Sequence, residues 1–158
     1  MNFEEQARYA AEVAARELET AHGEILEAWF ERESGERTPV LESGQPASFA
    51  ARVRFDGPVE DPEFTVILRN SGDLMMFAAT SYWTSAETGS FAAGDEAVMR
   101  VRFENILAPD RYRATIGIAL PGGKSEWVLR KENVSEVQVT SVRRSGALVD
   151  IPYEVELA

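Results

Sequence analysis

The chain has 158 residues, enough for one domain with a sizeable core, and its 44% hydrophobic content excludes a disordered acidic tail. With 27 acids against 16 bases it carries a formal charge of -11, which argues against nonspecific binding to nucleic acid or to an anionic membrane, since both need a positive surface. It has no cysteine, hence no disulfide framework or thiolate chemistry, and His22 alone cannot build a histidine metal site.

Residues 3 to about 20 place Phe3, Ala7, Ala10, Val13, Ala14 and Leu18 on one helical stripe, with acids and arginines elsewhere. The stripe is narrow and mostly alanine, so we expect one N-terminal α-helix acting as a linker across residues 1–22, ended by a left-handed cap at Gly23. No basic stretch followed by an apolar core opens the sequence, and no apolar run approaches the ~20 residues needed to span a bilayer. The expectation is a soluble, cytoplasmic protein without direct membrane insertion.

From Gly23 the period changes to that of strands. A first strand runs roughly from Glu24 to Arg32, and Phe49, Ala51, Val53 and Phe55 alternate inward on a second. The third, Glu63 to Arg69, buries Phe64, Val66 and Leu68, and Asn70-Ser71-Gly72-Asp73 is a hairpin signal into Leu74 to Ala79. Ser81 to Asp95 reads as a surface loop carrying Tyr82 and Trp83, exposed aromatics of the kind that serve binding. Val98 to Phe103 follows. If it neighbours the second strand, Arg52, Arg54, Arg100 and Arg102 share an outer face that needs interleaved acids.

The stretch Phe103 to Leu120 reads as a corner. Two strand signals meet across Leu107 to Asp110, and Asp110-Arg111-Tyr112 at the mouth of the second matches a tyrosine corner, whose phenol bonds back to upstream backbone. With Tyr112, Ala114, Ile116 and Ile118 inward, Arg113, Thr115, Gly117 and Ala119 line the opposite, smoother face. Further strands are expected at Trp127 to Arg130, Val134 to Val142 and in the apolar segment Ala147 to Leu157. Short strands separated by turns, without helical crossovers, give an all-β class: an immunoglobulin-like antiparallel β-sandwich preceded by one helix, with residues 23–158 as the sandwich domain.

No constellation for catalysis stands out. Gly122-Gly123-Lys124-Ser125 resembles the end of a phosphate-binding loop, but that loop needs an earlier glycine where Ile118 stands and a helix where a strand follows. The acid pairs occur in turn-like or helical stretches, and no serine or threonine has a histidine base. No catalytic residue, metal ligand or cofactor is assigned. Trp29, Trp83 and Trp127, with Tyr82, could stack on sugar rings; Trp29 is expected in the core by the usual burial of tryptophan.

Gly23-Glu24-Ile25, the third strand with its hairpin, and F-x-N-x-L-x-P-x-x-Y at 103–112 together resemble the C-terminal domain of Wzt-type ATPase subunits, from ABC transporters that export O-antigen and related polysaccharides. The chain departs from the family at Asp110, where glycine is usual, and at Ala79-Thr80, where Asn-Thr is common. The resemblance covers residues 23–157 and implies a noncatalytic carbohydrate-binding domain for an exported polysaccharide. The N-terminal helix then resembles the connector to an ATPase domain. On this reading Thr65, Ile67 and Arg69 lie beside Arg113, Thr115, Gly117 and Ala119, with Trp127 walling one side and Tyr82 and Trp83 nearby. Implied partners are the polysaccharide, the transporter's ATPase and membrane subunits at the inner face of the membrane, and a second copy, joined by exchange of the C-terminal strand. The rival reading is an immunoglobulin-like interaction module that docks a transporter or other protein through the same face.

Overall fold

The computed structural model describes residues 2–9, 22–84, 87–121 and 127–157. Residues 3–9 are helical, and Asn2 and Glu5 close the helix start reciprocally: Asn2 Oδ1 accepts from the Glu5 amide at 2.8 Å, and Glu5 Oε2 accepts from the Asn2 amide at 2.9 Å. This is a capping box, which satisfies backbone donors that no helical carbonyl can reach. The rest of the expected stripe, Ala10, Val13, Ala14 and Leu18, lies outside the described residues, as do Gly122 to Ser125.

The first strand, β1 (Gly23–Arg32), starts without a left-handed cap. Gly23 is needed for close approach instead, because a Cβ there would stand 2.8 Å from the Arg54 carbonyl oxygen. β1 pairs with β3 (Ala47–Phe55), and β3 with β8 (Glu96–Phe103), in a three-stranded antiparallel sheet. The facing sheet has five strands, in the order β2 (Val40–Glu42), β10 (Trp127–Thr140), β9 (Asp110–Ala119), β5 (Glu63–Arg69) and β6 (Met75–Thr80). All its pairings are antiparallel except that of β2, which runs parallel to β10. A short ribbon of β4 (Val59–Glu60) and β7 (Ser90–Phe91) brings Phe91 to stack on Phe55, ring centroids 4.5 Å apart.

Three expectations are corrected here. The two strands expected around Trp127–Arg130 and Val134–Val142 are one strand, β10, whose register shifts between Lys131 and Ser135; Asn133 takes φ 53 within the bulge, a conformation asparagine tolerates. The loop expected over Ser81 to Asp95 supplies β7. Residues 150–157, expected as strand, form none; their segment is held by a bridge from Val149 to Leu107 and by Asp150, whose carboxylate accepts from Ser43 Oγ at 3.1 Å.

The core follows the pleat. Phe49, Ala51, Val53 and Phe55 from β3, Val66 and Leu68 from β5, and Tyr112, Ala114, Ile116 and Ile118 from β9 are each at most 1% exposed. Full burial of each large aliphatic contributes about 1.5–3 kcal/mol relative to exposure. Tyr112 turns the chain between the two sheets, its hydroxyl donating to the Ala108 carbonyl at 2.6 Å. Asn105, 1% exposed, braces the same corner: its Nδ2 donates to the Glu42 carbonyl at 3.1 Å and its Oδ1 accepts from the Leu107 amide at 3.3 Å. Burial, and then the Asp110 charge, push the Tyr112 phenol up to about 12. Because its folded pKa lies above the unfolded value of about 10, its share of stability is complete below pH ~10 and is lost as pH rises toward ~12. Tyr112→Phe should therefore cost about 1–3 kcal/mol at neutral pH by leaving the Ala108 carbonyl unpaired, and should remove the alkaline loss due to this group; urea melts at neutral and alkaline pH measure both, and equal stability at neutral pH would contradict the corner.

Candidate functional site

The central strand of the five-stranded sheet, β9, decides what its outer face offers. Register places Thr65 opposite Gly117, Ile67 opposite Thr115, Arg69 opposite Arg113 and Glu63 opposite Ala119, so the seven residues expected side by side on β5 and β9 are side by side. Thr80 and Ala78 of β6 extend these rows beyond Thr65 and Ile67, and Arg130 of β10 lies opposite Gly117 on the other side. Adjacent strands lie ~4.8 Å apart, so small residues on β9 between larger ones make the floor of a trough. Thr115 and Gly117 are buried in that floor, and Thr65 and Ile67 are half-buried beside it. The floor is uncharged, with hydroxyls from Thr65, Thr80 and Thr115.

Arg130 flanks the floor beside Gly117 and pairs with Glu132, Glu63 stands at one end, and two arginines meet an aspartate at the other. Arg113 Nη2 donates to Asp73 Oδ1 at 2.9 Å, and Arg69 Nη1 donates to the Asp73 carbonyl at 3.4 Å. The turn that carries Asp73 is tied down from both sides: Asn70 Oδ1 accepts from the Leu74 amide at 3.0 Å, and Ser71 Oγ donates to Asp110 Oδ2 at 2.9 Å. Burial opposes ionisation of Asp110, but hydrogen bonds from Ser71 and Arg111 outweigh it and hold the carboxyl below its usual range. From sequence, Ser71 and Asp73 stood only as part of a hairpin turn and Asp110 as part of the corner, none of them as a site residue, although Asn-Ser-Gly-Asp is the kind of turn whose side chains bond their own backbone.

The remaining sequence-derived residues are divided. Trp127 pairs with Ala119 at the far end of the strip, and its side chain lies outside the described residues. Tyr82 and Trp83 sit on a 3-10 turn, Ser81–Trp83, capped by Thr80, and are 57% and 82% exposed. Trp83 borders a groove of 580 Å³ between β6 and β8, each the edge strand of its sheet among the described residues, lined by Phe64, Phe77, Phe91, Met99 and Val101. It therefore belongs to the open edge of the sandwich.

Trp29, expected in the core, is half-buried on the outer face of the three-stranded sheet. The pleat requires this, because its neighbour Phe30 takes the inner side. Its indole donates to Glu31 Oε1 at 2.7 Å, and the Arg37 guanidinium covers its ring at 3.7 Å. Glu31 also accepts from Arg100 Nε at 3.0 Å and Nη2 at 3.1 Å. The hydrogen bonds from Arg100 and then Trp29 hold the Glu31 carboxyl below its usual range, against burial. Glu27 lies 3.3 Å from Arg52 and Glu24 2.6 Å from Arg54, so the arginines do share one face with interleaved acids. On this face Arg52, Arg54 and Arg100 each meet an acid, whereas Arg102, opposite Ser48, has no ion pair among the described residues.

Among the described residues no group of three or more His, Cys, Asp or Glu could hold a metal ion, and no described helix is long and apolar enough to cross a membrane. A family model described as the Wzt C-terminal domain matches residues 15–151. Among solved structures, the crystal structure of the C-terminal domain of Wzt aligns with a TM-score of 0.76 at 16% identity, covering 87% of this chain and 85% of that one. A Niemann-Pick type C2 protein from the Japanese carpenter ant aligns at 0.51 with 10% identity, covering 77% and 95%. Both likenesses concern the fold. No curated protein matches the chain.

Because the folded pKa of Asp110 is depressed, its contribution to stability is present above the ordinary carboxylate range and is lost as pH falls through the folded value. Asp110→Asn should cost about 1 kcal/mol at neutral pH, and thermal melts of the two proteins should converge on acidification. A gap that stays constant into strong acid would mean that the Asp110 charge does not hold the Asn70–Asp73 turn.

Proposed function

The chain belongs to the Wzt C-terminal domain family, and we propose that it is a noncatalytic carbohydrate-binding domain that recognises an exported bacterial polysaccharide of the O-antigen kind for an ABC transporter. In this reading residues 1–22 connect to an ATPase domain and residues 23–158 bind the glycan. The protein works in the cytoplasm at the inner face of the membrane, with the transporter's ATPase and membrane subunits as partners. The observation that carries the reading is the trough over β5 and β9, in which Thr65 opposes Gly117 and Ile67 opposes Thr115. An uncharged floor edged by hydroxyls suits a sugar ring lying flat: the ring's C-H face meets Ile67 and the glycine, and its hydroxyls meet threonines. Recognition of this kind calls for no cofactor and no nucleophile.

The same reading makes the domain a homodimer through exchange of its C-terminal segment. Ile151, Tyr153, Val155 and Leu157 are 60%, 69%, 74% and 94% exposed and recur at every second residue along a segment without strand pairing. Gly146, at φ 78, supplies a bend before them. The apolar groove at the free edges of β6 and β8 offers such a segment both unpaired backbone and a place for alternate side chains. Exchange of an identical element is a low-cost route to a symmetric dimer, and Pro152, which lacks an N-H, limits strand addition past it.

Two measurements test these statements. Gly117→Trp fills the floor of the trough and should abolish binding of the cognate polysaccharide in calorimetric titration while far-UV circular dichroism stays that of the parent; Thr65→Trp, on the half-buried neighbouring strand, serves if the first variant does not fold. Unchanged affinity in either folded variant places the glycan elsewhere, and capture of a transporter subunit through this face without glycan binding would favour a docking module. Light scattering should find a dimer for the full chain and a monomer for a chain ended at Arg144. A monomeric full chain would exclude the exchange.

A further inference from the structure

Arg69 of β5 and Arg113 of β9 stand directly opposite each other on the outer face of the sheet. Like charges in that position repel, so the pair needs an anion between its members. Asp73 supplies one, its carboxylate accepting from Arg113 and its carbonyl from Arg69. Glu136, the residue opposite Arg113 on its other side, forms its ion pair with Arg111 at 3.3 Å. The Asp73 side chain is 72% exposed and its backbone holds φ 64, a left-handed conformation costly for most side chains but tolerated by aspartate. It is thus an exposed, replaceable acid on a turn that Asn70, Ser71 and Asp110 hold in place.

We propose that Arg69 and Arg113 form an oxyanion subsite at the end of the trough, which takes a carboxylate or phosphate group carried by the saccharide in place of the Asp73 carboxylate. The proposal rests on the reading of the trough as a glycan site and adds the class of glycan: one with an acidic substituent. Two guanidinium groups give the forked donors that planar oxyanions require. Arg69 and Arg113 each lie two residues along their strand from Ile67 and Thr115, a rise of about 7 Å. A group borne by a ring over the neutral floor therefore reaches them. A free anion is disfavoured, because the chain's charge of -11 repels it at a distance; only a ligand held by neutral contacts brings its charge to the pair.

The test titrates the chain with a gluco-oligosaccharide bearing a single uronate residue, with its neutral counterpart of equal length, and with inorganic phosphate. The acidic oligosaccharide should bind more tightly than the neutral one, and phosphate should not bind measurably. Arg69→Gln and Arg113→Gln should each weaken the acidic ligand by about tenfold or more, the range expected for loss of a charged hydrogen bond, and weaken the neutral ligand by a much smaller factor. Asp73→Asn, which keeps the left-handed backbone, should strengthen acidic binding several-fold by removing the competing carboxylate. Neutral binding that Gly117→Trp abolishes, with no preference for acid, would overturn the subsite and leave the glycan reading intact. Acidic binding insensitive to both arginines would overturn the subsite, as would phosphate binding as tightly as the oligosaccharide. Absence of all saccharide binding would overturn both the trough and the subsite.

Discussion

The hydrogen bond from Tyr112 to the Ala108 carbonyl is the constraint on which the rest of the fold depends. It sets the direction in which the chain leaves the three-stranded sheet and enters β9, the central strand of the other sheet. Asn105 fixes the preceding loop to the turn after β2, and Leu107 bridges to Val149. One corner thus carries the inter-sheet crossing, the position of the parallel edge strand and the anchor of the C-terminal segment. Phe103, at the start of the corner, packs on Phe77 with ring centroids 5.4 Å apart and so ties β8 to β6.

The two outer faces differ because their side chains differ in reach. On the three-stranded sheet, Glu24, Glu27 and Glu31 alternate with Arg52, Arg54 and Arg100 across the strands, and long side chains meet at salt-bridge distance. Such a surface has little electrostatic demand left for a ligand. Exposed pairs of this kind add only about 0–1 kcal/mol each; the Glu31 cluster is stronger because Glu31 is 7% exposed and accepts three hydrogen bonds from Trp29 and Arg100. On the five-stranded sheet, β9 contributes Gly117 and Thr115 and cannot cover itself. A strip of low relief remains, flanked by Arg130 beside Gly117, with Arg69 and Arg113 at one end and Glu63 at the other.

The edges of the sandwich complete the picture. β2 closes one side of the five-stranded sheet, while on the other the outer edges of β6 and β8 have no strand partner among the described residues, with an apolar groove between them. An open apolar edge and a free apolar segment in the same chain are complementary liabilities: each exposes what the other could cover.

What the sequence by itself determined is what depends on near neighbours. Strand alternation places Phe49, Val53, Val66, Leu68, Tyr112, Ile116 and Ile118 inward because the pleat reverses every residue, and it places Thr65, Ile67, Thr115 and Gly117 outward for the same reason. The corner was legible because Asp-x-Tyr sits at the mouth of a strand. The tertiary structure decided what depends on partners distant in the chain. The parallel pairing of the three-residue β2 with β10, the bulge that keeps β10 continuous through Asn133, and the pairing of Phe91 with Phe55 have no local signature, since each is stabilised by residues far along the sequence. Trp29 shows the boundary: Phe30 beside it already required an outward position and alternation puts Glu31 on the same face two residues along, but Arg37 arrives only when the loop after β1 folds back. The convergence of Arg69 and Arg113 on Asp73 is likewise a product of register, because a one-residue slip between β5 and β9 would turn the two arginines to opposite faces.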